Sequence, residues 1–129
     1  MKVKEGKKMN VFLIIGIVVL MGTAAQIFMK RGMNEIGKIQ VKDIFFEKFF
    51  QVFFNKFVFV GLALYGLTSV FYLTALSMED VSFVYPLIGM AYILTAVAAW
   101  AFFGEKLTLM KMLGILMISA GAYFVVMKL

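Results

Sequence analysis

The chain has 129 residues, of which 64% are hydrophobic, with a mean hydropathy of +0.99 and a formal net charge of +6. A soluble domain of this length cannot bury so many apolar side chains, so the composition predicts a protein whose solvent is lipid. Because the chain contains no cysteine and no histidine, the composition excludes disulfides, thiolate or imidazole metal sites, and Ser-His or Cys-His nucleophile pairs.

Four long apolar runs are the first predicted elements. Each is long enough to cross a hydrocarbon core of about 30 Å as a helix that rises about 1.5 Å per residue. Only the fourth run carries a charge, Lys111, which lies close enough to its start for the ammonium to reach the interface. The sequence therefore predicts an all-α fold, in which a single membrane domain, residues 1–129, holds a bundle of four transmembrane helices at 11–29, 57–76, 81–103 and 107–127.

The first run also permits a second interpretation. The lysines before it and the small residues at 23–25 are compatible with a cleaved signal peptide. The run is long for the apolar part of a signal peptide, and equally hydrophobic segments follow it. A transmembrane helix is therefore favoured.

The three connections between the runs differ in length. The second and third contain only four and three residues, so helices two to four must form tight antiparallel hairpins. The first connection is much longer, and its segment 41–56 is rich in phenylalanine. On a helical projection the polar residues of this segment share one narrow face: Glu47, Lys48, Gln51 and Asn55. The pattern predicts an amphipathic helix in the membrane interface, with packing against the chain's own bundle as the alternative.

The charged residues lie outside the apolar runs or at their ends. None of the seven carboxylates falls inside a run, so the sequence predicts no catalytic residue, no metal site, no cofactor and no enzyme activity. The thirteen Lys and Arg residues lie where anionic lipid headgroups would sit, which favours a membrane lipid as partner over nucleic acid. They divide five to eight between the two sides, a bias too small to set the orientation.

The end of the first helix carries two polar residues on one face, because Gln26 and Lys30 are four positions apart. In the functional interpretation they bind a lipid headgroup or a phosphate, and the Lys30 ammonium neutralises the anion. In the structural interpretation they are a boundary amide and a lysine that reaches out to the interface. The residues alone support both interpretations equally.

The second and third helices carry hydroxyl groups that could line a polar cavity. The candidates for substrate binding there are four tyrosines, with Thr68, Ser69 and Thr95 beside them: Tyr65, Tyr72, Tyr85 and Tyr92. A single hydroxyl within a span is more often bonded to a backbone carbonyl than functional. Pro86 and Gly89 lie near the start of the third helix and predict a hinge, because proline and glycine permit bending.

The fourth helix carries small residues on one face. Gly114 and Gly121 are seven positions apart, which places them about 20° from each other around the helix. Such a surface lets a second helix approach closely, so the spacing predicts packing against a partner subunit. Packing of the same glycines against the chain's own helices is the alternative.

Several short motifs in the second half of the chain resemble the drug/metabolite transporter superfamily, which includes the EamA-like proteins. The motifs lie at 72–77, 84–87, 102–108 and 113–121, and they include the Gly-Glu pair after the third helix. The chain is most similar to the four-helix branches of that superfamily. The resemblance implies a transporter in the cytoplasmic membrane that works as a homodimer or a heterodimer.

Two four-helix branches are relevant. The small multidrug resistance family exchanges protons for cationic drugs through a glutamate inside helix one, and no glutamate occurs in that helix here. The subunits of the aminoarabinose-phosphoundecaprenol flippase are more similar, in three features: the Gln26-x3-Lys30 ending of helix one, the Tyr85-Pro86 opening of helix three, and Glu105 after it. That resemblance implies a lipid-linked sugar phosphate as cargo.

The residues and the resemblance together support three hypotheses. The first is a flippase or transporter subunit that moves a lipid-linked sugar phosphate, or a similar amphipathic anion, by alternating access as a dimer. Its headgroup path would pass Gln26, Lys30, Tyr85 and Glu105. The second is an exporter of small drugs or metabolites. The third is a membrane adaptor that transports nothing and docks a partner enzyme on its phenylalanine-rich segment.

Overall fold

The structure is a computed structural model that describes residues 5–127, with side chains from Val11 onward. Within that range the regular elements are seven α-helices: α1 (Glu5–Ile36), α2 (Val41–Phe45), α3 (Phe49–Phe53), α4 (Lys56–Met78), α5 (Val81–Gly89), α6 (Ala91–Phe103) and α7 (Leu109–Met127). Residues 1–4 and 128–129, the two ends of the predicted domain, lie outside the described residues, as do the side chains of the N-terminal lysines.

Four helical segments of the described chain are long and apolar enough to cross a membrane, which confirms the predicted all-α membrane fold. They are α1, α4, the consecutive pair α5 and α6, and α7. The first span continues beyond its predicted end at residue 29 and stops where Gly37 adopts a φ of 95°. Glycine occupies this left-handed region without steric cost, so the helix ends there and Lys30 lies on α1 itself.

The closest helix pair is α1 against α4, and two glycines make the approach possible. A Cβ at Gly61 would lie 2.9 Å from the Ala25 carbonyl oxygen and from the Met29 backbone nitrogen. A Cβ at Gly32 would lie 2.8 Å from the Val58 backbone nitrogen. Backbone atoms cannot move aside as a flexible side chain can. Small residues at these points therefore hold the pair together in lipid, where no hydrophobic effect drives helices to associate.

The same helix pair is tied at one end by Asn55, the residue before α4. Its Oδ1 accepts hydrogen bonds from the backbone N–H groups of Phe57, at 3.0 Å, and Val58, at 3.2 Å. These bonds satisfy two of the N–H groups that a helix start leaves free. The Asn55 Nδ2 donates to Glu35 Oε1 at 3.0 Å. One side chain thus caps α4 and links it to the last turn of α1.

A hydrophobic cluster fills the opposite end of the bundle. Its buried members come from the start of α1, the end of α4 and from α5: Val11, Ile15, Ala75, Phe83, Val84 and Leu87. Val125 and Val126 of α7 pack against this cluster. All four spans therefore meet at the end that holds the connection between α4 and α5.

The third span is interrupted at Met90, directly after the predicted hinge residue Gly89. The N–H of Met90 donates to the carbonyl of Leu87, three residues back, at 3.1 Å, a tighter turn than an α-helix makes. Pro86 lies one turn earlier and has no backbone N–H to donate, which weakens the helix there. The span is thus two helices joined at Met90, and bending at this joint stays a prediction.

The phenylalanine-rich connection forms two short helices, α2 and α3, where the sequence predicts one helix at 41–56. A turn at residues 46–48 separates them. Val52 is buried, and α3 packs against α1 and α4. Most of the aromatic rings are instead at least 66% exposed: Phe45, Phe46, Phe50 and Phe54. The segment is therefore attached to the bundle by one side, and its insertion into the membrane interface stays a prediction.

Replacing Gly61 with alanine should destabilise the bundle, because the added methyl group would meet the backbone of α1. Overpacking of this kind costs about 1–3 kcal/mol. Gly66→Ala, on the same helix, is the control, since a Cβ there meets nothing within 4 Å. We expect Gly61→Ala to unfold at a lower temperature than Gly66→Ala when circular dichroism follows the heating of protein in detergent. Equal unfolding temperatures would contradict the close contact.

Candidate functional site

A cavity of about 540 Å³ lies between α1, α4, α5 and α6. Sites for small organic ligands typically measure about 300–1,000 Å³, so this central cavity is large enough for one. It is lined by Val18, Gly22 and Gln26 of α1, by Tyr65, Thr68, Ser69 and Tyr72 of α4, and by Tyr85, Ile88, Gly89, Ala91, Tyr92 and Thr95 of α5 and α6. The predicted amide and the four predicted tyrosines thus share one cavity.

The wall of the central cavity is mainly apolar, and its polar groups are neutral. Its described lining includes tyrosine, threonine and serine hydroxyls and one amide, and no lysine, arginine or carboxylate. Thr68 Oγ1 donates to the Leu64 carbonyl at 2.7 Å, and Ser69 Oγ donates to the Tyr65 carbonyl at 3.1 Å. With their protons engaged, these two hydroxyls can only accept from a ligand. A ligand here therefore meets aromatic faces and hydrogen-bonding groups, with no fixed countercharge.

One side of the central cavity is open. Thr68 is only 5% exposed, whereas Tyr65, Tyr85 and Tyr92 are 50%, 64% and 49% exposed. The buried threonine lies at the floor, and the exposed tyrosines form a rim. The cavity is consequently a groove that a ligand could enter from the side.

A smaller cavity of about 190 Å³ lies between α6 and the start of α7. Tyr92 and Thr95 line both cavities, so the two share a wall. The smaller cavity is also lined by three charged side chains: Glu105, Lys106 and Lys111. The smaller cavity thus has charged groups in its wall, and the described lining of the central cavity has none.

Lys30 and Glu105 form an ion pair between α1 and the connection after α6. Gly104 ends α6 in the left-handed conformation, with a φ of 67°, and its N–H donates to the Ala99 carbonyl. The next residue is Glu105, whose Oε1 lies 4.0 Å from Lys30 Nζ. The two side chains are 52% and 44% exposed, so the pair contributes only about 0–1 kcal/mol. A pair this weak can exchange partners with a charged ligand at little cost.

Apart from Pro86, which lies within α5, the predicted site residues fall into three groups in the structure. Gln26, the four tyrosines and Gly89 line the central cavity. Lys30 and Glu105 pair with each other, and Glu105 lines the smaller cavity. Gly114 and Gly121 lie apart on α7, where an added Cβ would meet nothing within 4 Å in the described structure. The placement is observed, and the roles in binding and dimer packing stay predictions.

Two residues of the smaller cavity were missed by sequence reasoning, which assigns Lys106 and Lys111 only to the membrane boundary. Both belong to the short segment that begins at Glu105. Their closeness in sequence to a predicted site carboxylate is the signal that could have found them. The sequence does not show which cavity that segment faces.

The profile of the EamA-like transporter family matches residues 6–127 of the chain. The chain is similar to the probable 4-amino-4-deoxy-L-arabinose-phosphoundecaprenol flippase subunit ArnF of Proteus mirabilis (strain HI4320), with 33% identity over 116 residues, which cover 84% of this chain and 86% of the relative. The protein of the same name from Serratia proteamaculans (strain 568) is 33% identical over 110 residues, which cover 83% of this chain and 85% of the relative. No solved structure gives a significant match.

Because Thr95 lines both cavities, we expect water to reach its side chain. Because the chain has no cysteine, the Thr95→Cys variant would carry a single thiol. The control is Val97→Cys, because Val97 is 47% exposed and lines neither cavity. In proteoliposomes we expect a charged methanethiosulfonate reagent to modify Thr95→Cys about tenfold faster or more, since the reactive thiolate forms readily only in water. Equally slow modification of both variants would show that the cavities are closed to water.

Proposed function

We propose, from the premise that this chain belongs to the EamA-like transporter family, that it is a transporter subunit for a lipid-linked sugar phosphate or a similar amphipathic anion. The chain is an integral membrane protein with four candidate spans. In the proposal it lies in the cytoplasmic membrane and works as a dimer by alternating access. It moves its cargo without changing it chemically, so it has no enzyme activity. The observation that carries the proposal is a neutral, hydroxyl-rich cavity beside a charged pair.

The central cavity suits a sugar headgroup. A sugar presents hydroxyl groups and apolar ring faces, and tyrosine offers both an aromatic face and a hydroxyl. Thr68 and Ser69 accept hydrogen bonds, and the Gln26 amide both donates and accepts. A bare ion would lie there without a countercharge in the described lining, which is costly in a medium of low dielectric constant. The open rim would let an isoprenoid tail remain in lipid while the headgroup enters.

The ion pair at the end of α1 suits the charged part of the same cargo. The names of the two relatives describe an amino sugar joined through phosphate to an isoprenoid alcohol. A headgroup of that kind carries an anionic phosphate and a cationic amine. The phosphate would form an ion pair with the Lys30 ammonium, and the amine would form one with the Glu105 carboxylate. Because the pair itself contributes only about 0–1 kcal/mol, this exchange costs little.

A second subunit is part of the proposal. α7 packs against α5, and its Val125 and Val126 meet the hydrophobic cluster. The positions of Gly114 and Gly121 remain open to approach. Small residues let a second helix come close in lipid, and both relatives are named as subunits. We therefore assign the face of α7 that carries Gly114 and Gly121 to a homodimer or heterodimer contact.

One observation favours export of a cationic drug or metabolite as a second candidate. Four tyrosines around one cavity could hold a quaternary ammonium group through cation–π attraction. The exposed phenylalanines of α2 and α3 favour the third candidate, a membrane adaptor. The three candidates differ in what crosses the bilayer: a phosphosugar lipid, a cation, or nothing.

Replacing Lys30 with glutamine should slow transport of a phosphosugar lipid. The assay reconstitutes the protein in vesicles and follows a fluorescent short-chain polyprenyl phosphosugar, whose label is reduced by dithionite only in the outer leaflet. We expect the transport rate to fall by about tenfold or more, because a hydrogen bond to a charged group contributes about 1.5–3 kcal/mol. Lys38→Gln is the control, since Lys38 is exposed at the same end of α1 and should not contact the cargo.

The outcomes of this assay separate the candidates. Normal transport by Lys30→Gln would make Lys30 an interfacial anchor and contradict its proposed role. A labelled quaternary ammonium compound that crosses the vesicle membrane, while the phosphosugar lipid does not, would favour the exporter. A dimeric wild-type protein that moves neither compound would favour the adaptor.

Replacing Gly121 with leucine should weaken the dimer, because the larger side chain would keep a second helix from approaching α7. Gly16→Leu is the matched control, since Gly16 also has nothing within 4 Å of an added Cβ but lies on α1. Overpacking costs about 1–3 kcal/mol, which corresponds to about tenfold weaker association or more. Native mass spectrometry in detergent should show more monomer for Gly121→Leu only. An unchanged ratio of dimer to monomer would contradict the assigned face.

A further inference from the structure

We infer that the smaller cavity is a loading site for the phosphoryl group of the cargo, held by the ammonium groups of Lys106 and Lys111. The inference rests on the proposed function, because a loading site for phosphate serves transport only if the cargo carries one. It adds two binding residues and an order of events. The phosphate first binds between α6 and α7, and the sugar then moves along α6 into the central cavity.

Lys111 is held in position by the turn that precedes α7. Its Nζ donates to the Lys106 carbonyl at 3.0 Å, and its backbone N–H donates to Thr108 Oγ1 at 3.2 Å. An ammonium group has three N–H donors, so two remain for a ligand after the bond to Lys106. The turn therefore presents a fixed cation at the wall of the cavity.

The balance of charge at this site favours an anion. Glu105 is the carboxylate of the described lining, and it lies beside Lys106 and Lys111. The same carboxylate is 4.0 Å from Lys30 Nζ. One negative group among three ammonium groups leaves a positive excess, which a phosphate would neutralise. The pair with Lys30 is half-exposed and weak, so a phosphate at the site can take Lys30 from Glu105.

Size and position assign the two cavities to different parts of one cargo. About 190 Å³ is below the range of about 300–1,000 Å³ for drug-sized ligands, so the smaller cavity suits a compact ionic group. Tyr92 and Thr95 line both cavities and offer hydroxyls along the way. Leu109 and Met110, at the start of α7, are 73% and 76% exposed and provide apolar surface for an adjacent lipid tail.

The test is isothermal titration calorimetry of the full chain in detergent with farnesyl phosphate, and with farnesol as the uncharged counterpart. We expect Lys106→Gln and Lys111→Gln each to weaken farnesyl phosphate binding about tenfold, since each removes a charge-assisted hydrogen bond. Lys111→Arg should retain most of the affinity because it keeps the charge. Glu105→Gln should bind more tightly, and Lys38→Gln, exposed at the same end of the bundle, should bind like the wild type.

Inorganic phosphate as a competitor separates two sources of the anion. If a large excess of inorganic phosphate leaves farnesyl phosphate bound, the site binds a lipid headgroup. If inorganic phosphate displaces farnesyl phosphate, the site also binds free phosphate. Both results support an anion site between α6 and α7. Farnesol that binds as tightly as farnesyl phosphate would overturn the inference, because recognition would then lie in the tail.

The translocation assay keeps this inference separable from the proposed function. A wild-type protein that binds farnesyl phosphate through Lys111 but translocates no polyprenyl phosphosugar would overturn the proposed function and leave the anion site standing. A wild-type protein that translocates the phosphosugar, while Lys106→Gln and Lys111→Gln bind and translocate equally well, would overturn the loading site alone.

Discussion

The close contact between α1 and α4 is the constraint on which the rest of the structure depends. In lipid, helices are held together by packing and by satisfied polar groups. Gly61 allows α4 to approach the backbone of α1, and Asn55 caps α4 while it bonds Glu35 of α1. This contact sets how α1 is rotated in the bundle. Through that rotation Gln26 reaches the central cavity and Lys30 reaches Glu105.

The membrane also explains how polar groups are distributed. A hydroxyl can be satisfied within its own helix, as Thr68 and Ser69 are, so hydroxyl-bearing residues can line a cavity inside the spans. A charge cannot be satisfied that way, and Lys30, Glu105 and Lys111 accordingly lie near the ends of helices. A neutral cavity beside charged groups is the physical result. We propose that the neutral cavity recognises a sugar and that the charged groups beside it recognise ions.

The bundle differs between its two ends. The hydrophobic cluster around Val84 and Leu87 joins all four spans at one end, whereas the ion pair and the smaller cavity lie toward the other. The joint at Met90 separates the two halves of the third span. A bend there would move α6, which lines both cavities, relative to the packed end. α7 contacts the other spans mainly through α5, which leaves its outer face for a second subunit.

The sequence by itself determined the number and type of the spans, because length and hydropathy are properties of contiguous residues. It also placed hydroxyls in the second and third spans and charges at the helix ends. Only the tertiary structure decided that Gln26 shares a cavity with the tyrosines, that Lys106 and Lys111 line a second cavity, and that two short helices form the phenylalanine-rich connection. These contacts depend on how far each helix is rotated and how closely it approaches its neighbour. Gly61 governs that approach between α1 and α4, and a small residue in a sequence does not indicate which backbone it admits.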